Sequence, residues 1–123
     1  MKKILKQLPN RSNRPRENGL TMMMDKGLGI REAEDFLASN AEHTDIIKLG
    51  FGTSIITPNV SDKIKLYHEN GMKVYTGGTL FEAFAIRSQL DDYKKYVNKI
   101  GLDMVEISDG SMNMDHDKKC ELI

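Results

Sequence analysis

Apolar residues recur along this chain in short blocks that alternate between strand-like and helix-like spacing. Leu20 to Met24 form a compact, mostly apolar run that breaks on Asp25-Lys26-Gly27-Leu28-Gly29, and it predicts a first strand over 20–24. Ile30, Ala33, Phe36 and Leu37 follow at three- and four-residue intervals, the spacing of one helical face. A second strand is predicted over 45–50, where Asp-Ile-Ile-Lys-Leu ends on Gly50. After a turn at Ile56-Thr57-Pro58-Asn59, Val60, Ile64 and Tyr67 mark a second helix. Asn70-Gly71 predicts its stop, because both residues accept the left-handed backbone that closes a helix. A third strand is predicted over 72–77. A single long helix then opens at Thr79, with Phe81, Ala85, Leu90, Tyr93 and Val97 on its inner face and Gly101 as its stop. A fourth strand is predicted over 103–107, and residues 115–123 read as the start of a fourth helix.

Strand starts near 20, 45, 72 and 103 give a repeat of about 25 to 31 residues. Repeating β–α units of this size imply parallel strands joined by crossover helices. Two α/β architectures satisfy that pattern, an open doubly wound sheet and a β/α barrel. Four units are half of a barrel, which typically needs roughly 250 residues.

Composition adds limits. The 123 residues are 39% hydrophobic and 29% charged, ordinary for a folded domain. No apolar run approaches the roughly 18 residues that span a bilayer, so no membrane partner is expected. The opening segment has a charged start but no apolar stretch of a secretory signal. Cys120 is the single cysteine, which suits a reducing, cytoplasmic setting. Net charge is zero but unevenly placed: Lys2, Lys3, Lys6, Arg11, Arg14 and Arg16 stand against Glu17 alone in residues 1–19. That basic leading segment is expected to be solvated and to precede a partial barrel domain over 20–123. Without interleaved aromatics or a recognised motif, it does not predict a nucleic-acid partner.

In any such fold, ligands meet the C-terminal ends of the strands. Those ends carry Asp25-Lys26-Gly27, Lys48-Leu49-Gly50, Thr76-Gly77-Gly78 and Glu106-Ile107-Ser108-Asp109-Gly110. Lys48 and Glu106 each interrupt an apolar strand, where a charge is costly unless it is paired or ligated. With Asp25, Lys26 and Asp109 near the same pole, the pair predicts a site as well as an ion pair. Glu82 stands three residues after Thr79, the spacing of a capping box at a helix start. Asp25-Lys26-Gly27-Leu28-Gly29 is neither a Walker loop nor a dinucleotide fingerprint. His43, His68 and His116 lack metal-ligand spacing, and Met22, Met23 and Met24 read as core filling.

The strings GLTMMMDKGLG, EDFL, DIIKLGFGTS, KVYTGGTLFE and EISDGSM, in that order, resemble the phosphosulfolactate synthase family from about Arg14 onward. The resemblance implies a TIM-type (β/α)8 barrel of which this chain carries about four units, the N-terminal half. It implies a magnesium-dependent lyase that adds sulfite to phosphoenolpyruvate, giving (2R)-phospho-3-sulfolactate for coenzyme M or sulfolactate biosynthesis. It carries catalytic roles onto Lys48, Lys26 and Glu106, substrate binding onto Lys26, Lys48 and Ser111, and magnesium ligation onto Glu106, Asp109 and Asp25. A lysine on a further strand, beyond Ile123, is the implied proton donor. A half barrel alone is expected to lack activity and to form a homo-oligomer or pair with its missing C-terminal half. Two other readings stand beside this one: a non-catalytic half barrel acting through association, and an open α/β domain binding small anions.

Overall fold

The computed structural model describes residues 4–123, so Lys2 and Lys3 of the basic segment lie outside the described residues. Four strands, β1 (Met22–Asp25), β2 (Ile46–Leu49), β3 (Lys73–Thr76) and β4 (Met104–Val105), form one sheet in the order β1-β2-β3-β4. All three pairings are parallel. The crossovers carry α1 (Ile30–Asn40), α2 (Val60–Glu69), α3 (Gly78–Ala85) and α4 (Leu90–Ile100), and α5 (His116–Glu121) follows β4. A doubly wound sheet reverses its strand order at a switch point. Here each strand pairs with its successor, which is the winding of a β/α barrel, and the four units make half of one.

Strand parity divides the sheet into two faces. Ile47, Leu49, Val74 and Thr76 are buried and turn toward the helices. There Ile47, Leu49 and Val74 pack with Ala33, Leu37, Ile64, Tyr67, Met72 and Ile100. The opposite face presents the register row Met24, Lys48, Tyr75, Met104, flanked by Met22 and Ile46. This face is only partly covered, and Met22 is 43% exposed, so the expectation that Met22 fills a core does not hold. Ile30 is likewise exposed, at the very start of α1.

The predicted long helix is two helices. It ends after Ala85, Ser88 takes a left-handed φ of 56°, and α4 restarts after Gln89. Asp91 and Asp92 sit in the first turn of α4, where carboxylates meet the positive end of the helix dipole. The break lets Phe81 and Phe84 both meet Tyr93, with ring centroids 5.8 and 5.5 Å apart.

The leading segment is not merely solvated. Arg16 Nη1 lies 2.7 Å from Asp45 Oδ1, at the N-terminal pole of the sheet, and Arg11 and Arg14 stand within 4 Å of the same carboxylate. Arg14 also donates to the carbonyls of Ala41, Asn70 and Gly71. Those carbonyls follow the ends of α1 and α2, where acceptors are left without helical partners. Burial opposes ionisation of Asp45, but the Thr21 N–H and the Arg16 guanidinium outweigh it and hold the carboxyl below its usual range. Among the described residues, no helix is long and apolar enough to cross a membrane.

Candidate active site

Lys48 and Glu106 leave the sheet on its open face and meet at the C-terminal pole, with Lys48 Nζ 2.7 Å from Glu106 Oε2. They share a cleft of about 300 Å³ with Met24, Phe51, Thr79, Glu82 and Ser111, and its floor is made by Gly50, Gly77 and Gly78. At two of those glycines an added Cβ would displace a side chain of the cleft. A Cβ at Gly77 would come 2.7 Å from Lys48 Cε, and one at Gly78 would overlap Ser108 and approach Glu106 Oε1 to 3.1 Å. The hydrogen bond from Lys48 to Glu106 raises the lysine pKa, with partial burial opposing it, so the ammonium form is held. The Lys48 ammonium also lies 5.8 Å from the Tyr75 ring centroid, a cation–π distance. A separate apolar groove, lined by Phe81, Leu90, Tyr93, Val97, Val105 and Leu122, brings no converging charges together.

The other expected residues are placed differently. Lys26 stands at the same pole but outside the cleft wall, its Nζ 5.6 Å from the ring centroid of Phe51, in a hollow shared with Thr53, Thr57 and Asn59. Ser111 lines the cleft, and its N–H donates to Glu82 Oε2 at 2.7 Å. Asp109 turns away to Lys119, 2.8 Å distant, and that contact depresses its pKa.

Asp25 corrects the expected constellation. It belongs to the same pole as Lys48 but to the other face, because Met24, not Asp25, is the register partner of Lys48. Asp25 is fully buried: Oδ1 accepts from the N–H groups of Gly27 and Leu28, and Oδ2 accepts from Tyr67 and pairs with Lys63 at 2.7 Å. Both oxygens are committed, so Asp25 holds the β1–α1 loop and is not placed to ligate a metal in the cleft.

Glu82 does not serve the helix cap that its spacing predicts. The expected capping box at Thr79 does not form, because α3 starts at Gly78 with Gly77 as its cap. The Glu82 carboxylate instead reaches the loop after β4, accepting from the Ser108 hydroxyl, from Gly110 N–H at 3.1 Å and from Ser111 N–H at 2.7 Å. The Ser108 hydrogen bond is the main reason its pKa is lowered. Lys63 has no predicted role, yet it lies within the apolar helical set Val60, Ile64, Tyr67 and is buried. A lysine on that face was the available signal for a buried carboxylate partner.

Oxygen donors in the cleft suit a hard cation sparingly. Glu106 pairs through Oε2 and keeps Oε1 toward Gly78, whereas Glu82 has both oxygens engaged. Among the described residues no three His, Cys, Asp or Glu side chains gather as a ligand set. Magnesium commonly takes only one or two carboxylates and completes its shell with water and substrate oxygens. Glu106 fits as such a single protein ligand.

A sheet wound in sequence order with a charged, glycine-floored cleft at its C-terminal pole is the architecture of β/α-barrel enzymes. The family model for (2R)-phospho-3-sulfolactate synthase (ComA) matches residues 9–123. Phosphosulfolactate synthase of Methanothermobacter thermautotrophicus is 35% identical over 117 residues, covering 94% of this chain and 45% of that protein. The phosphosulfolactate synthases of Bacillus subtilis and Methanocaldococcus jannaschii are 32% and 40% identical, over 95% and 80% of this chain and 46% and 40% of their own lengths. The chain belongs to the phosphosulfolactate synthase family, and it spans less than half the length of these curated relatives.

Proposed function

We propose that this chain supplies the Lys48–Glu106 end of a phosphosulfolactate synthase site, in a protein that adds sulfite to phosphoenolpyruvate to form (2R)-phospho-3-sulfolactate. The observation that carries the reading is the 2.7 Å Lys48–Glu106 pair set in a glycine-floored cleft at the strand ends. In this reaction the sulfur lone pair of sulfite forms a bond to the methylene carbon of phosphoenolpyruvate. The π electrons move onto the neighbouring carbon and its carboxylate, and that carbon then takes up a proton. Sulfite and the phosphate and carboxylate of phosphoenolpyruvate are all anionic. Lys48, kept as ammonium by Glu106, gives them a fixed positive charge, and Lys26 adds a second at the same pole, outside the cleft wall. The same raised pKa makes Lys48 a poor proton donor near neutral pH, so Lys48 acts as an anchor. Magnesium, held by Glu106, would supply Lewis-acid stabilisation of the negative charge developed on the enediolate. Glu82 and Ser111 line the same cleft. The setting is a cytoplasmic one, with small-molecule substrates.

The test is phosphosulfolactate formation across a magnesium titration. It is run on this chain alone and on this chain joined to the remaining half of the M. thermautotrophicus relative. The joined protein is expected to turn over, and the chain alone is not. Glu106→Gln in the joined protein is expected to lose most magnesium-dependent turnover, since an amide is a weaker ligand than a carboxylate. Full turnover by that variant would reduce Glu106 to a structural partner of Lys48.

A further inference from the structure

The β3–β4 ladder ends at the pair Thr76 and Val105, so Glu106 lies just beyond the last rung of the sheet. From Glu106 to Met114 the chain has no helix or strand to hold it. Contacts from outside take over. Ile107 and Met114 pack on the cluster of Leu80, Phe81 and Tyr93. Asp109 reaches Lys119 at the exposed edge of the loop. Between them stands the Glu82 carboxylate, 6% exposed, which accepts from Ser108, Gly110 and Ser111 together. Consecutive backbone N–H groups turned onto one anion make a nest, and here an internal carboxylate fills it. Gly78, one turn earlier on α3, lets Ser108 and Glu106 come against the helix start.

We infer that Glu82 is a positioning residue of the site, which fixes the 108–111 loop on α3 and thereby sets Glu106 against Lys48. The inference rests on the reading that the Lys48–Glu106 pair works on substrate, and it adds to that reading the part that aims the pair. Glu82 does not itself touch Lys48. Its effect passes through the loop, so loss of its charge frees the loop, lets Glu106 swing, and leaves Lys48 with a weaker partner. The Lys48 side chain is 19% exposed while the pair is closed, and a lysine that loses the carboxylate lying against it is more open to a reagent in solution.

The experiment uses the 123-residue chain as it is, with acetic anhydride at pH 8 and peptide mass mapping to follow each lysine. In Glu82→Gln, Lys48 is expected to acylate severalfold faster than in wild type, because its ammonium is no longer covered by the Glu106 carboxylate. Lys63, 3% exposed and paired to buried Asp25, reports global loosening, and its rate is expected to stay at the wild-type value. Ser108→Ala removes one donor without stranding a charge and is expected to shift Lys48 in the same direction by less. It decides the matter if Glu82→Gln does not fold. Lys48 and Lys63 accelerating together, an unchanged Lys48 in a folded variant, or loss of folding in both variants would each overturn the positioning role. Isothermal titration of wild type with phosphoenolpyruvate or sulfite is read separately. No binding there, with the selective Lys48 response intact, would remove the substrate reading and leave Glu82 as the holder of the pair.

Discussion

Parity along a strand decides what a charge can do. Asp25 and Lys48 both end strands at one pole, yet a one-residue offset in register sends Asp25 into the helix layer and Lys48 onto the open face. Once buried, Asp25 must be matched, and Lys63, Tyr67 and two loop N–H groups match it. Lys63→Met is therefore expected to lower unfolding free energy by about 3 to 5 kcal/mol, the cost of leaving a buried charge without its partner. Urea unfolding measures it, and a loss below about 1 kcal/mol would show that Asp25 is satisfied without Lys63. The same logic sets the response to acid. Glu82 and Asp45 have folded pKa values depressed below their unfolded ones. Their contribution is complete above the ordinary carboxylate range and disappears as pH falls through the folded values. Lys48 has the opposite sign: its raised pKa stabilises below the ordinary lysine value, and that contribution is lost as pH climbs through the folded one. A thermal-melt series is expected to fall on the acid side of pH 4 and again on the alkaline side of about pH 10.5. A flat acid limb would mean that the Glu82 and Asp45 contacts contribute nothing in solution.

At the level of elements, two glycines separate helix propensity from packing. Gly78 opens α3, and alanine there would favour the helix by up to about 1 kcal/mol. The new Cβ would overlap Ser108 and crowd Glu106, which together outweigh that gain. Gly78→Ala is expected to destabilise by about 1 to 3 kcal/mol, as overpacking does, and to loosen the loop after β4. Gly101 closes α4 with φ at 79° and has nothing within 4 Å of a built Cβ. Gly101→Ala is expected to cost about 1 kcal/mol from backbone strain alone, with no effect on the cleft. Denaturant unfolding of both variants, with Lys48 acylation as the local readout, checks the contrast. Equal Lys48 rates in the two would show that the loop does not depend on the space at Gly78.

For the whole molecule, the sheet has two outer strands, β1 and β4, whose far sides pair with no strand among the described residues. Its open face shows Met22, Ile46, Tyr75 and Met104 around a shallow hollow that Val105 borders at the edge of the sheet, with Met22 and Val105 each more than two-fifths exposed. Unpaired parallel edges beside an apolar face favour association with further strands. The chain is expected to sediment as an oligomer at micromolar concentration and to become monomeric when joined to the second half of a relative. A stable monomer of the chain alone would show that four β/α units protect this face well enough.

Four β/α units were legible in the sequence because strand and helix periods, glycine exits and the Asn70-Gly71 stop are local signals. So was the Lys48–Glu106 pair, since a charge in an apolar strand is conspicuous without a structure. The split at Ser88 was not, because Phe81 to Val97 keep helical spacing across it and only packing onto Tyr93 shows the break. The register that turned Asp25 away depends on pairing between strands 20 residues apart, and no local pattern sets it. The leading arginines read as a solvated tail because their partners, Asp45 and the carbonyls of Asn70 and Gly71, are distant in sequence. Glu82 read as a cap for the same reason. Sequence determined which residues can carry charge at the strand ends. Tertiary structure decided which of them meet, because hydrogen bonds and ion pairs act over a few ångströms of space, and the chain alone does not specify those distances.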